Sequence, residues 1–237
     1  MKATTLKLRR FVLLTALSVG LATCVRQEEL SECLGSCTVV TGRLLTSGSV
    51  ALPDALVTLQ WVRFVGLKGV VHRKAVGRTD ANGHYRVSGF LTDDELTDGL
   101  LEVVFQPSKS NYYLIGEQNF AFFNFKRDTL LTAPDYLIPR KAFAKLVVTN
   151  STQIPGLGAY ISDFNSCYGR NTTFSQSIRG GGSVIDWFGL PSQNPLEMPG
   201  DQPILVRHFK NTNNGRPSAT DTIFIPAGAT RTYTVTY

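Results

Sequence analysis

The chain has 237 residues, 43% hydrophobic and 18% charged, with 21 Gly, 11 Pro and 4 Cys. That apolar content excludes a mostly disordered chain, the Gly and Pro counts exclude a collagen-like one, and the length suits one large or two modest domains. The net charge of +6 rests on Lys2, Lys7, Arg9 and Arg10; without them 20 basic residues face 18 acidic ones, and +2 implies no nucleic-acid or other polyanion partner.

The basic head of residues 1–10 is followed by a dozen apolar positions, FVLLTALSVGLA, and then by polar VRQEELSE. A membrane-spanning helix needs about 20 apolar residues, so the pattern predicts a secretory signal peptide over residues 1–23. Leu21-Ala22-Thr23-Cys24 resembles the lipobox of bacterial lipoproteins. The resemblance implies that Cys24 receives palmitate and other acyl chains, becomes the new N-terminus and tethers the protein to a membrane. Each buried acyl CH₂ adds about 0.8 kcal/mol, and more than one chain gives stable attachment. Val25 gives no sign of inner-membrane retention, so the expected place is the outer membrane of the cell envelope, facing the periplasm or the surface, with plain secretion as the alternative. Residues 24–36 read as a polar tether. Cysteine usage fits an oxidising compartment. Once Cys24 is lipidated, Cys33 can pair with Cys37, or Cys37 with Cys167, and sequence leaves both open.

From Thr38 onward short β-type runs alternate with turn residues: TVVTGRLL, ALVTLQWV, VVHRKAVGRT, HYRVSGF, LLEVVFQ and NYYLIG. Turn signals roughly every ten residues favour an antiparallel sandwich over a parallel sheet. Thr92-Asp93-Asp94-Glu95 is a capping box and predicts one or two helical turns ending near Gly99, with the acids Asp93, Asp94, Glu95 and Asp98 favoured by the helix N-terminus. Asn82-Gly83 predicts a tight turn, with Asp80 bonding to the backbone ahead; a calcium loop would need further ligands at set spacings. Gly42, Pro53-Asp54-Ala55-Leu56-Val57-Thr58-Leu59 and Thr79-Asp80-Ala81-Asn82-Gly83-His84-Tyr85 together resemble the carboxypeptidase regulatory-like domain. The resemblance implies a transthyretin-like Greek-key sandwich, here over residues 37–139, with no zinc and no catalytic residues of its own.

An aromatic stretch follows, with Tyr112, Tyr113, Phe120, Phe122, Phe123 and Phe125, before prolines 134 and 139 break the pattern. Over residues 140–237 the runs KAFAKLVVTN, AYISDFN, TFSQSIR, SVIDWFG, PILVRHF, DTIFIP and RTYTVTY predict a second β-sandwich, by default immunoglobulin-like, whose closing run lies inside a sheet. Gly180-Gly181-Gly182 lacks the Lys of a phosphate loop. The fold class is therefore all-β, two sandwiches after a signal peptide.

Chemistry-bearing motifs are sparse. There is no G-x-S-x-G or H-E-x-x-H, and His72, His84 and His208 are scattered, so neither catalytic residues nor a metal or cofactor is expected. Aromatic side chains that could stack on a ligand are Trp61, Trp187, Tyr112 and Tyr113. Asp128-Thr129-Leu130 and Asp221-Thr222-Ile223 resemble the O-glycosylation site of Bacteroidetes, which would place sugars on Thr129 and Thr222. The expected function is a non-catalytic binding or assembly module with an envelope protein or a glycan as partner; the alternatives are a carbohydrate-binding lipoprotein and a hydrolase without a recognisable motif.

Overall fold

A computed structural model describes residues 33, 35–65, 68–178, 180–189, 194–212 and 215–237. The expected signal peptide, Cys24 and most of the tether lie outside them. The elements in chain order are β1 (Thr38–Thr46), β2 (Val50–Ala51), β3 (Leu56–Val65), β4 (Lys68–Arg78), β5 (His84–Gly89), α1 (Asp93–Thr97), β6 (Leu100–Gln106), β7 (Asn119–Phe122), β8 (Leu130–Thr132) and β9 (Tyr136–Leu137). Then come β10 (Lys141–Thr149), β11 (Tyr160–Ser166), β12 (Gly181–Asp186), β13 (Leu196–Pro199), β14 (Pro203–Lys210), β15 (Ser218–Phe224) and β16 (Thr230–Thr236).

These strands form two β-sandwiches. In the first, β1 pairs with β2, β5, β8 and β9, opposite a sheet of order β4-β3-β6-β7. Alternation along the strands sends Val40 and Leu44, Val57 and Leu59, Leu101, Val103 and Phe105, and Tyr85 and Val87 into one shared core. Leu59 and Leu101 are fully buried, each contributing about 2 kcal/mol by leaving water. The second sandwich sets β13-β10-β16 against β12-β11-β14-β15, around Leu146, Phe164, Trp187, Met198, Ile204, Val206 and Tyr233.

The hairpin after β4 forms as its chemistry dictates. The Asp80 carboxylate accepts the amides of Asn82 (2.8 Å) and His84 (2.9 Å), and Gly83 takes a φ of +77°. A Cβ at Gly83 would also collide with the Leu44 carbonyl, so glycine is required twice over. Asp80 is thus a turn-forming residue.

Four expectations need correction. The sandwiches are not purely antiparallel: β1 runs parallel to β8 and β9, and β10 parallel to β16. The closing strand β16 sits at a sheet edge, bonded among the described strands to β10 alone. TFSQSIR forms no strand, because Ser175 to Ile178 is a turn closed by the Ile178 amide on the Ser175 carbonyl (3.2 Å). NYYLIG forms no strand either; its segment leaves the first sandwich to meet the second.

Candidate functional site

The segment between β6 and β7, residues 107–118, acts as a strap across the join of the two sandwiches. The Tyr113 amide donates to the Pro139 carbonyl (2.8 Å) and the Lys141 amide to Asn111 O (2.9 Å). The Tyr168 hydroxyl accepts the Ile115 amide (2.8 Å) and donates to Gln118 Oε1, a side chain only 3% exposed. Leu137 and Gly169 exchange two backbone bonds of 2.7 and 2.8 Å, and Tyr113 meets Tyr168 edge to face at 6.2 Å.

The glycine run explains how the strap comes so close. A Cβ at Gly181 would overlap Ile115 Cδ1, and one at Gly180 or Gly182 would overlap the carbonyl of Ser166 or Phe164. Any side chain at these three positions would force strap or neighbouring strand outward. The run is a packing surface, a role that neighbouring sequence does not reveal.

A cleft of about 630 Å³ opens beside the strap, lined by Tyr113, Ile115, Gly182, Ser183, Asn194 and Glu197. Tyr112 and Lys141 line a smaller concavity next to it, sharing Leu114 and Glu197. Glu197 is bound to Lys141 at 2.9 Å. Burial pushes the Tyr113 phenol above its ordinary value, Glu197 adds to the rise and Ser183 opposes it. At neutral pH the cleft therefore offers an uncharged phenol, a serine, an amide and a carboxylate, a set suited to hydrogen-bonded recognition. Of the four aromatic side chains singled out in the sequence, Tyr113 lines this cleft and Tyr112 the concavity beside it.

The two tryptophans do not. Trp61 is 3% exposed and Trp187 is 0% exposed, so neither indole offers a face to a ligand. Trp61 Nε1 donates to the carbonyls of Glu95 and Asp98, both at 3.0 Å, beneath α1. Glu95 is itself buried, not a solvated helix-end acid. Its carboxylate holds Lys74 at 2.6 Å, His72 at 2.8 Å and the Thr92 amide at 2.9 Å. Burial pushes Glu95 up, but Lys74, the Thr92 amide and His72 outweigh it and hold the acid below the ordinary carboxylate value.

Trp187 begins a longer chain. Its Nε1–H donates to Ser162 Oγ (2.7 Å), which contacts His208 Nδ1 (2.7 Å); His208 Nε2 meets the Tyr233 hydroxyl (2.9 Å), which donates to Asp221 Oδ2 (3.2 Å). Tyr233 spends its proton on Asp221, so His208 Nε2 donates to Tyr233, and in a neutral ring Nδ1 then accepts from Ser162, whose oxygen accepts Trp187. His208 is the neutral tautomer protonated on Nε2. Burial holds its pKa below the ordinary value, against the pull of Asp221. Ser162 and His208 are within bonding distance, yet Ser162 is 0% exposed and its oxygen already accepts Trp187. The chain holds the core in register. Its one sequence signal is polarity on an inward position, Ser162 between Tyr160 and Phe164.

Cys33 and Cys37 form a disulfide, with Cα atoms 5.8 Å apart. The alternative link to Cys167 fails on distance. Cys167 packs on Leu45 near the far end of β1, about 26 Å of extended chain from Cys37. It is a buried free thiol, raised in pKa by burial. Thr129 is half-buried and its hydroxyl donates to Lys126 O (2.7 Å), while Thr222 is exposed within β15, not at its start.

No family model matches the chain, and no curated protein matches it. Among solved structures it is similar to a 9R-lipoxygenase from Cyanothece, at 16% identity and TM-score 0.34, over 56% of this chain and 20% of that one. The TIE protein of Bacillus anthracis aligns at 12% identity and TM-score 0.31, over 84% of this chain and 34% of that one. This chain thus spans a fifth of the length of the first and about a third of the second. The shaft pilin SpaA from Lactobacillus rhamnosus GG aligns at 8% identity and TM-score 0.32, over 85% and 97%. At such scores these likenesses carry no argument about what this chain does.

Proposed function

We propose that this chain is a cell-envelope lipoprotein, anchored through Cys24, whose two sandwiches serve as a non-catalytic binding or assembly module. On this reading the first sandwich is a carboxypeptidase regulatory-like domain and the strap makes the pair one rigid recognition body. The observation that carries the proposal is the cleft at the join. Ligand sites favour domain interfaces, and this one gathers Tyr113, Ser183, Asn194 and Glu197 on a braced frame. The ion pair at Glu95 and the chain through His208 support it from the other side, because their polar groups are spent on one another.

Two measurements test this. Labelled palmitate should enter the wild type and not Cys24→Ala; equal labelling of both removes the anchor. A photoreactive residue at Asn194, in the full chain in its own envelope, should give discrete cross-linked species. Intact protein in the cytosol with Met1 retained, or no adduct from that position, overturns the reading.

A further inference from the structure

The strands that end each sheet of the second sandwich are not equally protected. Backbone bonds fix which groups point outward, because bonded and non-bonded pairs alternate along an antiparallel ladder. The Gly200 amide bonds to the Arg140 carbonyl, so the outward positions of β13 are Pro195, Glu197 and Pro199. Two of these lack an N–H, and that edge is blunt. The Lys210 amide bonds to the Pro217 carbonyl, so β15 points Ser218, Thr220, Thr222 and Phe224 outward. There the Thr222 amide is taken by Asp221 Oδ1 (2.6 Å) and the Phe224 carbonyl by Arg231 (3.1 Å).

On β12 the Trp187 amide bonds to the Tyr160 carbonyl, which leaves Gly182, Val184 and Asp186 pointing away from β11. The N–H and C=O of Gly182 and Val184 have no partner among the described residues. No proline, lysine or arginine guards the strand, and Val184 is 68% exposed. The β16 edge also points threonines outward, but it lines none of the described concavities. Among the described residues of the second sandwich, β12 is where an unguarded edge meets a cleft, since Gly182 and Ser183 form one wall of the space bounded by the strap and β13.

We infer that β12 is a strand-addition site: an extended segment of another polypeptide enters the cleft at Gly182 and runs on along the exposed edge, pairing with the outward groups of Gly182 and Val184. Unpaired amides and carbonyls at strand spacing match an extended backbone and no other common ligand. The cleft holds about 630 Å³, which fits a short extended segment and not a folded sandwich, so the occupant is a peptide segment. The edge glycine favours an aromatic residue across from it, which would cover the bare backbone beside Tyr113. The inference rests on the binding-module reading and names the class of partner.

The test uses the full chain and phage-displayed random dodecapeptides. Enriched peptides should carry an aromatic residue, lack proline at alternate positions, and slow hydrogen exchange at the Gly182 and Val184 amides at least tenfold. Val184→Pro removes an outward N–H without touching the ladder to β11, and should weaken binding at least tenfold. Val184→Lys guards the same edge without altering the backbone and should act likewise if the proline variant proves unstable. Thr234→Pro on β16 should bind as wild type. No enrichment, protection at Thr232 and Thr234 instead, or full binding by both Val184 variants overturns the inference. Cross-links from Asn194 in the envelope alongside any of these results leave the module standing and remove only the strand.

Discussion

Both sandwiches bury a tryptophan and must satisfy its N–H, and they do so with opposite chemistry. In the first, Trp61 donates to two helix-end carbonyls, and the nearby Glu95 is neutralised by Lys74 and hydrogen-bonded to His72. In the second, Trp187 feeds a neutral chain of hydroxyls and one imidazole that meets charge only at Asp221. An ion pair resists acid until its carboxylate is protonated, whereas a neutral imidazole is lost as soon as it becomes worth charging. The same packing problem therefore leaves the two halves with different weak points. Because the chain has only two tryptophans, Trp61→Phe and Trp187→Phe leave one fluorescent reporter in each half.

The comparison can be broken at its strongest contact first. Glu95→Ala leaves Lys74 charged and only 11% exposed, and should cost about 3 kcal/mol in urea unfolding followed by Trp187 and Trp61 fluorescence. A change under half that would show that Lys74 finds water easily. Ser162→Ala strands the Trp187 N–H and the His208 ring nitrogen, for about 2 kcal/mol, with the loss read through Trp187. Tyr168→Phe removes the hydroxyl that ties Ile115 to Gln118 and should cost about 1 kcal/mol. It should also pull apart the midpoints of the two reporters, which coincide if the strap couples the halves.

Acid should separate the halves in a set order. His208 has a folded pKa below its ordinary 6.5, so the unfolded chain binds its proton first and stability declines as pH falls below 6.5. Glu95 is lowered from 4.5, so its contribution is present above that value and fades as pH falls through the folded pKa. Thermal melts from pH 8 to 3 should show the second half weakening before the first, and His208→Asn should abolish the earlier decline. At the small end, Arg78→Gln should leave the midpoint unchanged, because its partner Asp54 is 83% exposed.

What could be read in advance was what is local. Asp80, Asn82 and Gly83 make their turn through bonds spanning four residues, and the capping Glu95 reaches the Thr92 amide three positions back. The same Glu95 also meets Lys74 and His72, more than twenty residues away, and nothing near it in the chain announces that. Trp61 and Trp187 looked like ligand platforms because an aromatic side chain suits a surface or a core equally, and register alone decides. Tyr113 was legible as an aromatic candidate, but the cleft it lines also needs Gly182, Ser183 and Glu197 from strands far along the chain. The glycine triplet could be excluded as a phosphate loop; its service to Ile115 depends on a contact between separate sandwiches.

The parallel pairs β1 with β8 and β9, and β10 with β16, have a consequence for biogenesis. Each joins the opening strand of a sandwich to one made far later, so on a ribosome neither sheet can close until most of its stretch has emerged. Such long-range closure is slow. A nascent chain of this design keeps both sheets open for most of its synthesis, with the opening strands waiting on partners made last.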